Sequence, residues 1–164
     1  GFDVHDRKAY AAENNRSLVV QVRSDGKTLL FTGDIGMAGE QAILRTVKDP
    51  KTDLLKIPHH GSKSSSSDAF VNATRPEIGV MTVGNANPYR HPSDEVIARY
   101  EKIGTRIYRT DTDGAITVMI RRIGLEAKKW NDLRMKRIEL RDRDTWGITE
   151  WANGSRLLIR TTAF

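Results

Sequence analysis

Short apolar blocks, each closed by a glycine, proline or aspartate turn, run through the chain and restrict it to a layered α/β fold. Residues 17–23 and 28–32 read as strands flanking Asp25-Gly26, a strong hairpin signal. Residues 33–39 are a glycine-rich loop. Ile43, Leu44 and Val47 then recur at helical spacing within 40–48, and Pro50 closes that helix. Residues 53–57 are a short buried-type strand, 68–73 a brief helix capped by Ser67, and 78–83 the next strand. Ser93 caps a further helix with Asp94 and Glu95 in its first turn, and Gly104 stands where a helix-ending glycine belongs. Residues 105–110 and 115–120 read as a second hairpin across Asp111-Thr112-Asp113-Gly114. The resulting order is β-β-α-β-α-β-α-β-β. In the tail, 135–141, 145–151 and 156–161 alternate weakly as further strands, with Asn153-Gly154 as a turn.

Three loops that each follow a strand carry the chemistry. Asp34 follows 28–32, His59 and His60 follow 53–57, and His91 lies in the loop after 78–83. If these strands are parallel neighbours, their carboxyl ends share one sheet edge, where ligand sites of α/β folds form. Taken singly, each residue has a plainer reading. Gly33-Asp34 is compatible with a simple turn, 59–62 with a polar surface loop, and His91 with the entry to the helix at Ser93. The serine run 64–67 reads as a flexible linker. A serine-hydrolase pairing of Ser62 with His60 fails, because there is no G-x-S-x-G elbow and loop neighbours cannot easily form a triad. Aspartate and histidine without cysteine are the donors of a catalytic Zn²⁺ or Mn²⁺ site.

Composition narrows the classes. The chain holds no cysteine, which excludes disulfides, thiolate metal sites and cysteine nucleophiles. Its apolar runs, such as Leu18-Val19-Val20, stay far below the roughly 20 residues that span a bilayer. The formal net charge is +6. Residues 121–164 carry 11 basic and 6 acidic side chains, a net of +5, on a nearly neutral body. That basic tail reads either as a polyanion footprint or as a solvated surface.

The motifs, taken together and in order, resemble one family. Residues 14–20 (NNRSLVV), 29–34 (LLFTGD) and 54–62 (LLKIPHHGS) are similar to the metallo-β-lactamase-like domain of ComEC-type DNA-uptake channels. Residues 87–92 (NPYRHP) and 109–116 (RTDTDGAI) extend the likeness to about 118. The resemblance implies an αββα sandwich, a mixed sheet flanked by helices, of which this chain holds the C-terminal half. It divides the chain into a lead-in (1–13), a partial domain (14–120) and a basic extension (121–164).

The resemblance also implies a two-metal hydrolase centre. In it, Asp34 matches the bridging ligand, His60 the late metal-binding histidine, and His59 its substrate-facing neighbour. His91 matches a proton donor or phosphate contact. Ser62, Asn87 and Arg90 fall to substrate binding. Arg90 departs from the family's glycine, which adds a cation or reshapes the loop. The family's early H-x-H-x-D-H run is absent here, so two Zn or Mn ions are expected in the intact parent domain and none held tightly by this segment alone. The missing half-sheet is expected to leave apolar sheet surface uncovered. The implied partners are DNA, single-stranded or duplex, and the remainder of a bacterial membrane protein whose soluble, extracytoplasmic domain this is. The alternatives are a non-catalytic DNA-guiding module and a hydrolase of a non-DNA phosphodiester.

Overall fold

The Asp-Gly turn shows how closely local chemistry sets the fold. In the computed structural model, which describes residues 13–121, 124–129, 147–152 and 155–161, Asp25 and Gly26 have φ of 50° and 71°. That paired left-handed conformation matches the twist of antiparallel strands. It joins β1 (Val20–Ser24) to β2 (Lys27–Phe31), with Ser24 opposite Lys27. β3 (Leu54–Lys56), β4 (Ile78–Met81) and β5 (Arg106–Arg109) then add in turn, each parallel to its predecessor, in the order β1-β2-β3-β4-β5.

Three helices make the crossovers: α1 (Met37–Thr46), α2 (Asp68–Thr74) and α3 (Asp94–Lys102). The two later helices start where their caps predict, with Ser67 Oγ accepting from Phe70 N and Ser93 Oγ from Val96 N. The first helix starts three residues earlier than expected. Asn15 Oδ1 accepts from Gly36 N at 2.9 Å and Ser64 O from Met37 N at 3.1 Å, so its opening turn is satisfied from elsewhere in the chain.

Consecutive strand residues point to opposite faces, and both faces of this sheet are buried. Leu30, Leu55, Ile57 and Met81 pack against the helices through Ile35, Ile43, Phe70, Val71, Val96 and Tyr100. Leu29, Leu54, Ile78 and Val80 face Ile116, Val118, Ile120 and Leu125. The layers are therefore helices, mixed sheet and second sheet, the mixed α/β architecture that the pattern of blocks implies.

The second sheet corrects two expectations. Residues 105–110 and 115–120 do not form a hairpin. A single turn, α4 (Thr110–Asp113), carries the chain from β5 to β6 (Ile116–Arg121) in the other sheet. Asp113 Oδ2 accepts from Arg109 N at 2.9 Å, and Thr110 Oγ1 accepts from Val83 N and donates to Val83 O. The turn residues thus cap and anchor instead of pairing two strands. β6 pairs antiparallel with β7 (Gly124–Lys129) and parallel with β9 (Ser155–Thr161), which pairs antiparallel with β8 (Gly147–Ala152). Nor is this face of the first sheet left bare: Ile116, Val118 and Ile120, alternate residues of one strand, cover it. The strand read from 135–141 lies outside the described residues, as does the lead-in except for Glu13.

Candidate functional site

Parallel order from β2 to β5 gathers the loops that follow these strands on one edge, and Asp34, His59, His60 and His91 all lie there. Asp34 is held from two sides. Its backbone N donates to Ser17 Oγ at 3.0 Å, and that hydroxyl donates to Asn14 O at 2.8 Å. Gly33 reaches this turn at φ 56°, where a Cβ would lie 2.6 Å from Ser17 Cβ, so no other residue fits. The Lys56 ammonium, 2% exposed, donates to Gly33 O at 2.9 Å and to Asp34 Oδ1 at 3.2 Å. The other carboxylate oxygen, Oδ2, lies 3.3 Å from His60 Nε2.

The His59-His60 loop is backbone-strained. His59, His60 and Gly61 stand at φ 48°, 56° and 79°, three left-handed residues in succession. Two of them are not glycine and hold the conformation at a cost of about 1–2 kcal/mol each. The third must be glycine, since a Cβ there would meet Pro92 Cβ at 2.6 Å.

The two imidazoles have different hydrogen-bond partners. His60 Nδ1 donates to Thr82 O at 2.6 Å, which fixes the tautomer and leaves the Nε2 lone pair facing Asp34. A lone pair set against a carboxylate needs a cation between them. With a proton in that place, the His60–Asp34 hydrogen bond raises the imidazole's basicity against the opposing effect of burial. The same bond, with help from Lys56, holds the Asp34 carboxyl far below the usual carboxylate range. His59 is instead partnered on both nitrogens. Asn14 Nδ2 donates to its Nε2, and its Nδ1 donates to Ser64 Oγ, both at 3.2 Å. Burial makes it less basic than a free imidazole. His91 sits edge-on to His59, ring centroids 5.7 Å apart, and is likewise less basic through burial and its imidazole neighbours.

The remaining residues shape this edge. Ser62 is buried, its hydroxyl 3.0 Å from Ser64 Oγ. Asn87 spends both amide atoms on the His91 backbone, donating to its O and accepting from its N, each at 2.8 Å. Arg90 is exposed at φ 55°. The serine run is not a linker. Ser65 Oγ donates to Pro58 O at 3.0 Å, the buried Glu40 carboxylate accepts from Ser66 N and Ser67 N, and Tyr100 OH donates to Ser66 Oγ at 3.2 Å. It is a clamp that sets the histidine loop against α1 and α3.

Lys56, Asn14, Ser64 and Thr82 escaped the sequence reading. Only Lys56 left a signal there, as a cation in the middle of an apolar strand. Among the described residues, no three His, Cys, Asp or Glu side chains come together as a metal-holding group. Also among them, no helix is long and apolar enough to cross a membrane.

Residues 1–84 match the family model described as the metallo-beta-lactamase superfamily. The chain is 35% identical over 106 residues to ComE operon protein 3 of Bacillus subtilis, covering 65% of this chain and 14% of that protein. It is 36% identical over 118 residues to competence protein ComA of Neisseria gonorrhoeae, covering 71% and 17%. It is 32% identical over 107 residues to recombination protein 2 of Haemophilus influenzae, covering 65% and 13%. The chain thus spans less than a fifth of the length of each of these relatives.

Proposed function

The chain belongs to the metallo-beta-lactamase superfamily and is a relative of ComEC-type competence proteins, and from that premise we propose that its Asp34–His60 edge is part of a metal centre hydrolysing a DNA phosphodiester. One observation carries this reading. His60 Nδ1 is tied to a backbone carbonyl while Nε2 faces a carboxylate oxygen at 3.3 Å, the orientation in which a histidine is held to offer its free nitrogen to a metal. Metals are usual in the superfamily, and an oxygen and an imidazole nitrogen without sulfur fit Zn²⁺ or Mn²⁺.

Asp34 Oδ2 and His60 Nε2 would hold the ion. A catalytic zinc takes three protein ligands, so further donors come from other parts of the polypeptide. When bound between these two groups, a divalent cation would supply Lewis acidity to the phosphoryl group and to a water nucleophile. The overall step adds water across the P–O ester bond: the water oxygen joins phosphorus, the ester bond breaks, and a proton passes to the departing alkoxide.

The chain's own groups set the geometry. Lys56 fixes the Asp34 carboxylate and leaves Oδ2 to the ion. His59 stands beside the metal position, and its Nδ1–H, accepted by Ser64 Oγ in this structure, is the donor that a phosphate oxygen would take over. His91, edge-on to His59, would donate a proton or contact the phosphate. Ser62 and Asn87 act on the substrate through the loops they shape, and Arg90 lends its charge to the rim. In this reading, the chain is one soluble, extracytoplasmic part of a longer DNA-uptake protein.

The test is cleavage of labelled DNA with Mn²⁺ or Zn²⁺ by the natural polypeptide that carries this chain. Asp34→Asn is expected to lower the rate more than about 100-fold, with the fold unchanged by circular dichroism. Equal rates in parent and variant would remove the assignment.

A further inference from the structure

Tyr89 has no part in the metal-centred reading, yet its setting is unusual. Tyr89 is 76% exposed, although burying a tyrosine ring is ordinarily favourable. It lies nearly parallel to the His91 imidazole, centroids 5.9 Å and planes 18° apart. His91 meets His59 edge-on at 5.7 Å, and His59 meets His60 at 6.4 Å. A line of rings therefore leads from the Asp34–His60 pair to the surface and ends on an aromatic ring open to water. The turn that presents it is built: Asn87 bridges to the His91 backbone twice, and Arg90 N donates to Asn87 O. Beside the ring stands exposed Arg90, and among the described residues no carboxylate forms an ion pair with it.

We propose that Tyr89, backed by His91, stacks an unpaired nucleobase farther along the strand whose phosphodiester lies at Asp34–His60, so that the site takes single-stranded DNA in preference to duplex. The inference rests on the phosphodiester reading and adds the strandedness of the substrate. A flat aromatic face accepts any base, which suits recognition without sequence preference. A base inside a duplex has both faces covered by its neighbours and offers nothing to such a ring. The guanidinium of Arg90 adds charge along the strand's backbone without choosing a base.

Equilibrium binding tests this directly, by fluorescence anisotropy of a labelled oligothymidylate of about ten nucleotides. Three strands are compared: that oligothymidylate, an abasic strand of the same length, and a duplex of the same length. Tyr89→Ala is expected to weaken oligothymidylate binding about 5- to 100-fold. Tyr89→Phe keeps the ring and is expected to stay within about twofold of the parent. The parent should bind the abasic strand about as weakly as Tyr89→Ala binds the thymidylate, and the substitution should leave duplex binding unchanged. The proposal is overturned if Tyr89→Ala binds oligothymidylate like the parent. It is equally overturned if the abasic strand and the duplex lose as much affinity as the thymidylate, or if the parent binds no oligothymidylate. The two readings fail separately. DNA cleavage that survives Asp34→Asn removes the phosphodiester reading, whereas equal thymidylate binding by parent and Tyr89→Ala removes this one alone.

Discussion

Lys56 is the residue on which the site's geometry turns. Its neighbours Leu54, Leu55 and Ile57 are fully buried, and its ammonium is satisfied by Gly33 O and Asp34 Oδ1. Burying a cation without such partners would cost several kcal/mol. Lys56→Met keeps the length of the side chain but orphans a carbonyl and frees one carboxylate oxygen. We expect it to lower stability by about 1–3 kcal/mol in urea melts, and an unchanged midpoint would show that the ammonium is dispensable. Legibility at this scale was uneven. Asp34, His59, His60 and His91 stood out by type and by their place after strands. Asn14, Ser64 and Thr82 did not, because a small polar residue carries no mark of the histidine it will meet, whether 5, 22 or 45 positions away. Lys56 was visible as a letter in a strand, but its reach across β2 to Asp34 follows only from the parallel pairing.

Elements differ in how much of their form is local. The β1–β2 hairpin and the starts of α2 and α3 were readable from Asp25-Gly26, Ser67 and Ser93, since their signals sit within a few residues of the structure they cause. The serine run 64–67 was misread because its composition matches a linker, while its burial is imposed by Glu40 and Tyr100 far away in sequence. Burial raises the Glu40 carboxyl's affinity for a proton, against the opposing bonds from Ser67 and Ser66. Its folded pKa thus lies above the unfolded one, so its contribution is fullest in acid and is lost as pH rises through the folded value. Glu40→Gln cannot titrate. The parent's stability advantage over this variant should therefore be larger near about pH 5 than near about pH 8 in urea melts. A difference that is flat, or that grows with rising pH, contradicts the assigned environment. The 58–61 turn gives a second prediction. Gly61→Ala puts a Cβ against Pro92 at φ 79°, and about 1–3 kcal/mol of stability should be lost. Thermal melting of the variant measures it, and an unchanged midpoint would mean the loop relaxes freely.

At the scale of the whole molecule, one sheet serves two cores. The helices cover one face and β6 the other, so Ile116, fully buried between the sheets, ties the second sheet to the strands that position the site. Ile116→Ala should cost roughly 2–5 kcal/mol, seen as a lowered urea midpoint, and a loss below about 0.5 kcal/mol would mean the sheets barely share a core. The succession of blocks made the first sheet legible, and its parallel order brought the four site residues to one edge. The second sheet was not legible from 105–120, because Asp113-Gly114 carries the same local signal as a hairpin turn. Only the one-sided burial of Ile116, Val118 and Ile120 sends that strand to a different layer. We propose that Asp34 and His60, not His59, hold the divalent ion, and calorimetric titration of Mn²⁺ and Zn²⁺ into the natural polypeptide carrying this chain measures it. Asp34→Asn and His60→Ala are each expected to weaken binding by more than about tenfold, with His59→Ala within about threefold of the parent. Loss of binding in His59→Ala together with retention in His60→Ala, or full affinity in Asp34→Asn, would overturn this ligand assignment.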